Sequence, residues 1–139
     1  MTCIRIVAVA AGVACLCGCS SRTGGPGDVV AAPPVLNELH ELLIAAGRAK
    51  GRPPAQLSDL DSKKTLYPRA YEAVKNGDFV VLWGAPPKGE GSIEQGGTQE
   101  IVAYEKNVPT QGGWALFSAG AVKIMTSAEF NSAPKAGKP

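Results

Sequence analysis

The spacing of apolar positions changes along this chain, and each change marks a different kind of segment. Ile6 to Leu16 is an uncharged run of Ile, Val, Ala, Gly, Cys and Leu. Ser20 to Pro34 offers only Val29 and Val30 to a core, among Gly24, Gly25, Pro26, Gly27, Pro33 and Pro34, so it reads as a linker. From Val35 to Lys50, apolar residues at Leu36, Leu39, Leu42, Leu43 and Ala46 follow the three-and-four spacing of an amphipathic helix. Pro33 and Pro34 suit its start and Gly51 its end. Leu57 and Leu60 peg a short helical turn, and a second helix is expected from Pro68 through Ala70, Tyr71 and Val74 to Asn76-Gly77.

Beyond Gly77 the period becomes that of extended chain. Phe79-Val80-Val81-Leu82-Trp83 is continuous enough to predict a central strand covered on both sides. Gly84 to Gly97 is rich in glycine and charge and predicts a loop. Ile101 to Glu105 resumes the sheet, and Lys106 to Gly112, with Pro109 inside it, predicts a second loop. Trp114 to Phe117 and Ala121 to Met125 form a β-hairpin across Ser118-Ala119-Gly120, with Gly120 available for a positive φ. Thr126 and Glu129 stand at capping-box spacing and would start a small helix that holds Phe130 against the sheet. Ala133 to Pro139 is Ala, Pro, Lys and Gly and is expected to be disordered.

Helices first, strands afterwards and no β-α-β alternation predict an α+β fold, with the helix of residues 35–50 laid on a mainly antiparallel sheet of about four strands. Leu39, Leu43, Val81, Leu116 and Ile124 are expected inside. The apolar run at the start is too short for the roughly 20 residues that span a bilayer, but it fits a cleavable export signal of about 7–15 apolar residues. The remainder of the chain is one domain's worth, near the usual ~100–150 residues.

Leu16-Cys17-Gly18-Cys19 resembles a lipobox, in which a leucine and two small residues precede the cysteine that bacterial lipoprotein processing acylates. The resemblance implies cleavage between Gly18 and Cys19, lipid on Cys19, and a domain anchored in the cell envelope that faces the periplasm or the outer surface. The organisation is then a signal peptide over 1–18, a linker over 19–34, the α+β domain over 35–132 and a tail over 133–139. All four cysteines lie at or before Cys19, so cleavage would leave one, and no disulfide framework is open to the mature chain. One acyl chain holds a protein only marginally, and the diacyl modification supplies two. A linker of this length would set the domain about 20 Å from the bilayer.

Charge adds little. The formal net charge is +2, with acids and bases interspersed, and indicates neither a nucleic-acid surface nor an acidic tail. No P-loop, H-E-x-x-H, G-x-S-x-G or dinucleotide fingerprint occurs, so no enzyme, metal or cofactor is expected. His40, the one histidine, falls beside Glu41 on the flank of the helical stripe and reads as a solvated residue. Glu90 and Glu94 stand close in the glycine-rich loop, a poor host for the rigid carboxylate pair of a glycosidase. Trp83 and Trp114, in strands expected to adjoin, are the candidate ligand or partner contacts: either a stacking platform for sugar or two core residues.

Gly51, Pro54, Leu57 and Leu60 resemble the Gly-x-x-Pro-x-x-Leu-x-x-Leu segment after the long helix of type II secretion pseudopilins and type IV pilin-like proteins. The hairpin around Gly120 and Val122 also resembles the last hairpin of those domains. The acidic residue of that turn is absent here, which removes the carboxylate that the family's calcium site would need. The resemblance implies a pilin-like fold. A filament subunit would need its apolar N-terminal helix to run on into the domain helix, and the Gly/Pro-rich residues 24–34 interrupt it. A monomeric, non-enzymatic lipoprotein with a structural role or an envelope protein partner is therefore expected. The alternatives are a small module binding peptidoglycan or another glycan, or a pseudopilin-like component.

Overall fold

The computed structural model describes residues 31–86 and 99–139. The expected signal and lipobox with Gly18 and Cys19, most of the expected linker and the stretch with Glu90 and Glu94 lie outside the described residues. Ala31 to Pro139 is a compact unit. It is α+β, with helices preceding and following a four-stranded antiparallel sheet.

Helix α1 spans Pro34–Lys50, with proline in its first turn and Gly51 in a left-handed conformation at its end. Leu36, Leu39, Leu42, Leu43 and Ala46 are buried along its stripe, and Arg48 and Lys50 face the negative end of its dipole. The chain then turns through Pro54 into a 3-10 helix, Leu57–Lys63, and helix α2, Pro68–Lys75. Two carboxylates fasten this region. Asp59, 2% exposed, accepts hydrogen bonds from Ala55 N at 2.8 Å, from the Lys50 ammonium and from Arg52 Nη1 at 3.3 Å. Glu38 reaches from α1 to the start of α2. Its Oε1 accepts from the amides of Arg69 (3.0 Å) and Ala70 (3.2 Å), and its Oε2 from Arg69 Nε (3.0 Å).

Strands β1 (Phe79–Val81), β2 (Ile101–Glu105), β3 (Gly113–Phe117) and β4 (Val122–Met125) lie in the order β1-β2-β3-β4. Val81 pairs with Ala103, and Ala103 with Leu116. Alternation along the strands sends Phe79, Val81, Ala103 and Leu116 into a core with the α1 leucines. Ile101, Ala115 and Phe117 point the other way, to Val108 and Phe130. Those two residues come from α3 (Val108–Gln111) and α4 (Ser127–Ser132), so helices cover both faces. A bulge between Ile101 and Ala103 explains why three consecutive residues of β2 are buried: Val102 joins Ala103 on the α1 side.

Several expectations need correction. Phe79 to Trp83 is not a central strand. Only Phe79–Val81 is strand, at the sheet's edge, and its continuous apolarity reflects cover on two faces, which says nothing about neighbours in the plane of the sheet. The stretch around Pro109 contains a short helix, which places Val108 in the core.

Residues 133–139 are not disordered. Ile101 N donates to Pro134 O (3.0 Å) and Ala136 N to Ile101 O (2.9 Å), while Trp83 and Lys138 exchange backbone bonds of 2.6 and 3.2 Å. The tail thus completes the sheet where β1 ends. Small residues made the tail look structureless, yet they permit this close approach: a Cβ on Gly137 would lie 2.3 Å from Trp83 O. Lys135 Nζ adds hydrogen bonds to Phe130 O (2.7 Å) and Ala133 O (3.1 Å) at the end of α4.

Ile124 is 55% exposed, against the expectation of burial. It pairs with Trp114 on the α1 side but stands on the outermost strand, where Trp114 and Val122 are only partly buried.

Candidate functional site

The two tryptophans do not adjoin. Trp114 follows Gly113 at the start of β3, and its backbone N–H donates to Glu105 Oε2 at 2.9 Å. Trp83 lies beyond the end of β1, with β2 between the two strands. The pairings Phe79↔Glu105 and Tyr104↔Ala115 put Phe79 and Trp114 at one end of the sheet and Trp83 at the other. Four residues along a strand at about 3.3 Å each, and two strand spacings of about 4.8 Å, separate the backbone positions of the two tryptophans by about 16 Å. No single sugar ring stacks on both. Each is half-buried and packs against the core shared with α1, between the platform and the interior position considered for them.

Each indole neighbours or lines a feature of its own end. An open hollow of about 420 Å3 is lined by Ala55, Trp83, Gly84, Gly137, Lys138 and Pro139. Its backbone groups are engaged within the fold, since Trp83 pairs with Lys138 and Gly84 N donates to Pro54 O. Its side-chain lining is mainly Trp83, half-buried, and Lys138, exposed. At the opposite end, a hollow of about 430 Å3 is lined by residues that include Asp78, Glu105, Lys106, Asn107 and Gln111. Here too the polar groups are partly committed, with Asp78 O accepting from Lys106 N and Glu105 from Trp114 N.

His40 is corrected from a solvated flank residue to a buried one, 5% exposed. Its ring lies against the β3–β4 turn, where a Cβ on Gly120 would come within 2.8 Å of Cε1. Gly120 has φ 85, so the turn that needs glycine for its backbone also needs it for this contact. Nε2 has no hydrogen-bond partner among the described residues.

The groups with displaced titration lie at structural hydrogen bonds outside both hollows. The Asp59 carboxyl is lowered from 3.8 to about 2, first by the Ala55 amide, then by the Lys50 hydrogen bond, with Arg52 adding a coulombic part. Glu129 is lowered by the Thr126 amide and hydroxyl of the capping box, and the Tyr71 hydroxyl is raised by its hydrogen bond to Asp61. Among the described residues, no group of three or more His, Cys, Asp or Glu is placed to hold a metal ion. No helix among them is long and apolar enough to cross a membrane.

Sequence reasoning missed Asp59, Glu38 and Glu105 as ordering groups. A signal for Asp59 existed, in a carboxylate set between two core-facing leucines, with Lys50 and Arg52 a short way upstream. Comparison of the chain with family models, with curated proteins and with solved structures finds no match.

Proposed function

We propose that this chain is a lipoprotein of the bacterial envelope, cleaved after Gly18, acylated on Cys19, and carrying a pilin-like α+β domain with a structural or interaction role and no catalysis of its own. The observation that carries the reading is Leu16-Cys17-Gly18-Cys19 at the end of an uncharged apolar run, with every cysteine of the chain at or before the acylated position. Support for the second half of the reading comes from the domain. Its polar groups with displaced titration stabilise turns and helix starts, and its one histidine is enclosed. The order of α1, the Gly51-x-x-Pro54 turn and an antiparallel four-stranded sheet supports the pilin-like description. A tether, rather than a filament core, suits a helix α1 that begins only at Pro34, behind the Gly/Pro-rich linker.

Intact-mass measurement of protein extracted from membranes should show loss of residues 1–18 and gain of lipid, and Cys19→Ala should abolish both. Wild-type processing and membrane retention of Cys19→Ala would reject the tether. A glycan-binding module is the second reading, and the hollow at Trp83 is its only support. Peptidoglycan binding lost in Trp83→Ala, with the fold retained, would favour it over a scaffold.

A further inference from the structure

Among the described residues, the two large apolar side chains most open to solvent are Leu66, 69% exposed, and Ile124, 55% exposed. Ile124 belongs to the outer strand of the sheet. Leu66 stands at the tip of the turn between the 3-10 helix and α2, preceded by Lys63 and Lys64. The turn is well fixed at its base. Leu66 N and Tyr67 N both donate to Lys63 O, at 3.0 and 3.2 Å, and Leu60 and Tyr67 pack into the core on either side. Exposure of Leu66 is therefore a held conformation. Among the described residues, neither lysine pairs with a carboxylate, whereas Asp59 is already matched by Lys50 and Arg52, and Glu38 by Arg69.

The location of this turn gives it meaning. Glu38, about one helical turn inside α1, holds the amides of Arg69 and Ala70. The Lys63–Leu66 turn consequently lies beside the start of α1, on the side where the chain enters the domain at Ala31. An apolar tip flanked by unmatched ammonium groups is complementary to a surface that has anionic headgroups above hydrocarbon.

We infer that the Lys63–Leu66 turn is a membrane-surface contact, with Leu66 entering the boundary between headgroups and acyl chains and Lys63 and Lys64 lying on anionic lipid phosphates. The choice of a lipid surface as occupant rests on the tethered reading proposed above, because a linker of about 20 Å reach holds the turn at millimolar effective concentration beside the bilayer. Two lysines and one leucine then suffice, although they bind weakly as a free domain.

The test replaces the lipid anchor, so that its outcome is independent of Cys19. Residues 31–139 form a compact unit whose cores close within it, and this stretch contains no cysteine. The domain, with an N-terminal polyhistidine tag, is held on nickel-chelating vesicles, and Leu66→Cys carries a polarity-sensitive dye. On phosphatidylcholine vesicles containing phosphatidylglycerol the dye should shift to the blue and be quenched by lipid-borne quenchers. On phosphatidylcholine alone it should stay in water, as should the same dye on Ile124→Cys in both. Removing both charges (Lys63→Gln with Lys64→Gln) should lower the insertion equilibrium constant about 25-fold, at about fivefold per lysine, and added salt should act in the same direction. A dye that stays in water on anionic vesicles would overturn the inference. Equal insertion into neutral vesicles, or indifference to the lysine changes, would do so as well. A shift that needs no lipid and grows with protein concentration would replace the lipid surface by a second copy of the chain. None of these results bears on whether Cys19 is acylated.

Discussion

The helical and sheet regions of this domain are fastened by different physics. Between α1 and α2 the ties are carboxylates, with Asp59 drawing in Lys50, Arg52 and the Ala55 amide, and Glu38 holding the first turn of α2. Around the sheet the corresponding ties are close approaches at glycine, the His40 ring on Gly120 and the Trp83 carbonyl on Gly137. Carboxylate ties respond to protons and are indifferent to small changes of volume. Glycine ties show the reverse, because a single added methyl group meets an atom that has nowhere to go.

The contrast is open to direct attack. The largest expected effect is at the sheet: Gly120→Ala adds a left-handed strain of about 1–2 kcal/mol to an overpacking cost of about 1–3 kcal/mol. A loss of about 3 kcal/mol in denaturant melts is expected at every pH where the domain folds. Adding His40→Ala to Gly120→Ala should give a total smaller than the sum of the two single losses, since the ring that the methyl group strikes is gone. Strict additivity would mean that the His40 contact contributes nothing to the requirement for glycine.

At the helical region, Asp59→Asn should lower the melting temperature by several degrees at neutral pH. The folded carboxyl titrates at about 2, below its ordinary 3.8, so the stability it contributes is present above 3.8 and is lost as the pH falls towards 2. The gap between wild type and Asp59→Asn should therefore close over that interval. A gap that persists at pH 2 would assign the effect to packing and erase the contrast between the regions.

The smallest effect sharpens the comparison by testing an exception. The start of α4 is, with the Glu105–Trp114 bond, a place near the sheet tied by a carboxylate, Glu129 accepting from Thr126 N at 2.7 Å and Thr126 Oγ1 accepting from Glu129 N at 3.2 Å. Thr126→Ala should destabilise by about 1 kcal/mol, measured by chemical denaturation. Because the Glu129 carboxyl is lowered, that difference should also shrink as acid protonates it.

What was legible in the sequence followed the same division. Periodicity located α1 and its buried face, the turn at Gly120 located the hairpin, and Thr126 with Glu129 located the start of α4. Each of these is a local pattern with a local cause. The tail from Pro134 to Lys138 is held by backbone bonds to Trp83 and Ile101, which leave no trace in side-chain polarity. Burial of His40 depends on a glycine far along the chain, and exposure of Ile124 on where the cover of α1 thins out. Trp114 lies in the strand expected for it and Trp83 just beyond the end of its own, but strand order decides their separation, and order is not a property of any one segment. Cys19, the proposed acylation site, lies outside the described residues, so that proposal rests on the sequence alone.

The bond from Glu38 to α2 also bears on the order in which the domain assembles. Helix α2 has 8 residues, below the ~12–15 at which an isolated helix begins to persist in water, and it has no side-chain cap of its own at Tyr67. The acceptor for its first amides comes from α1, 31 residues upstream of Arg69. The first turn of α2 therefore gains its acceptor only when docked on α1, and the folding order in which α1 precedes α2 is expected from this dependence. Glu38→Ala should accordingly leave helicity in a peptide of residues 31–50 unchanged, while in the whole domain it slows refolding more than it speeds unfolding. A change confined to the unfolding limb would place the docking of α2 after the rate-limiting step.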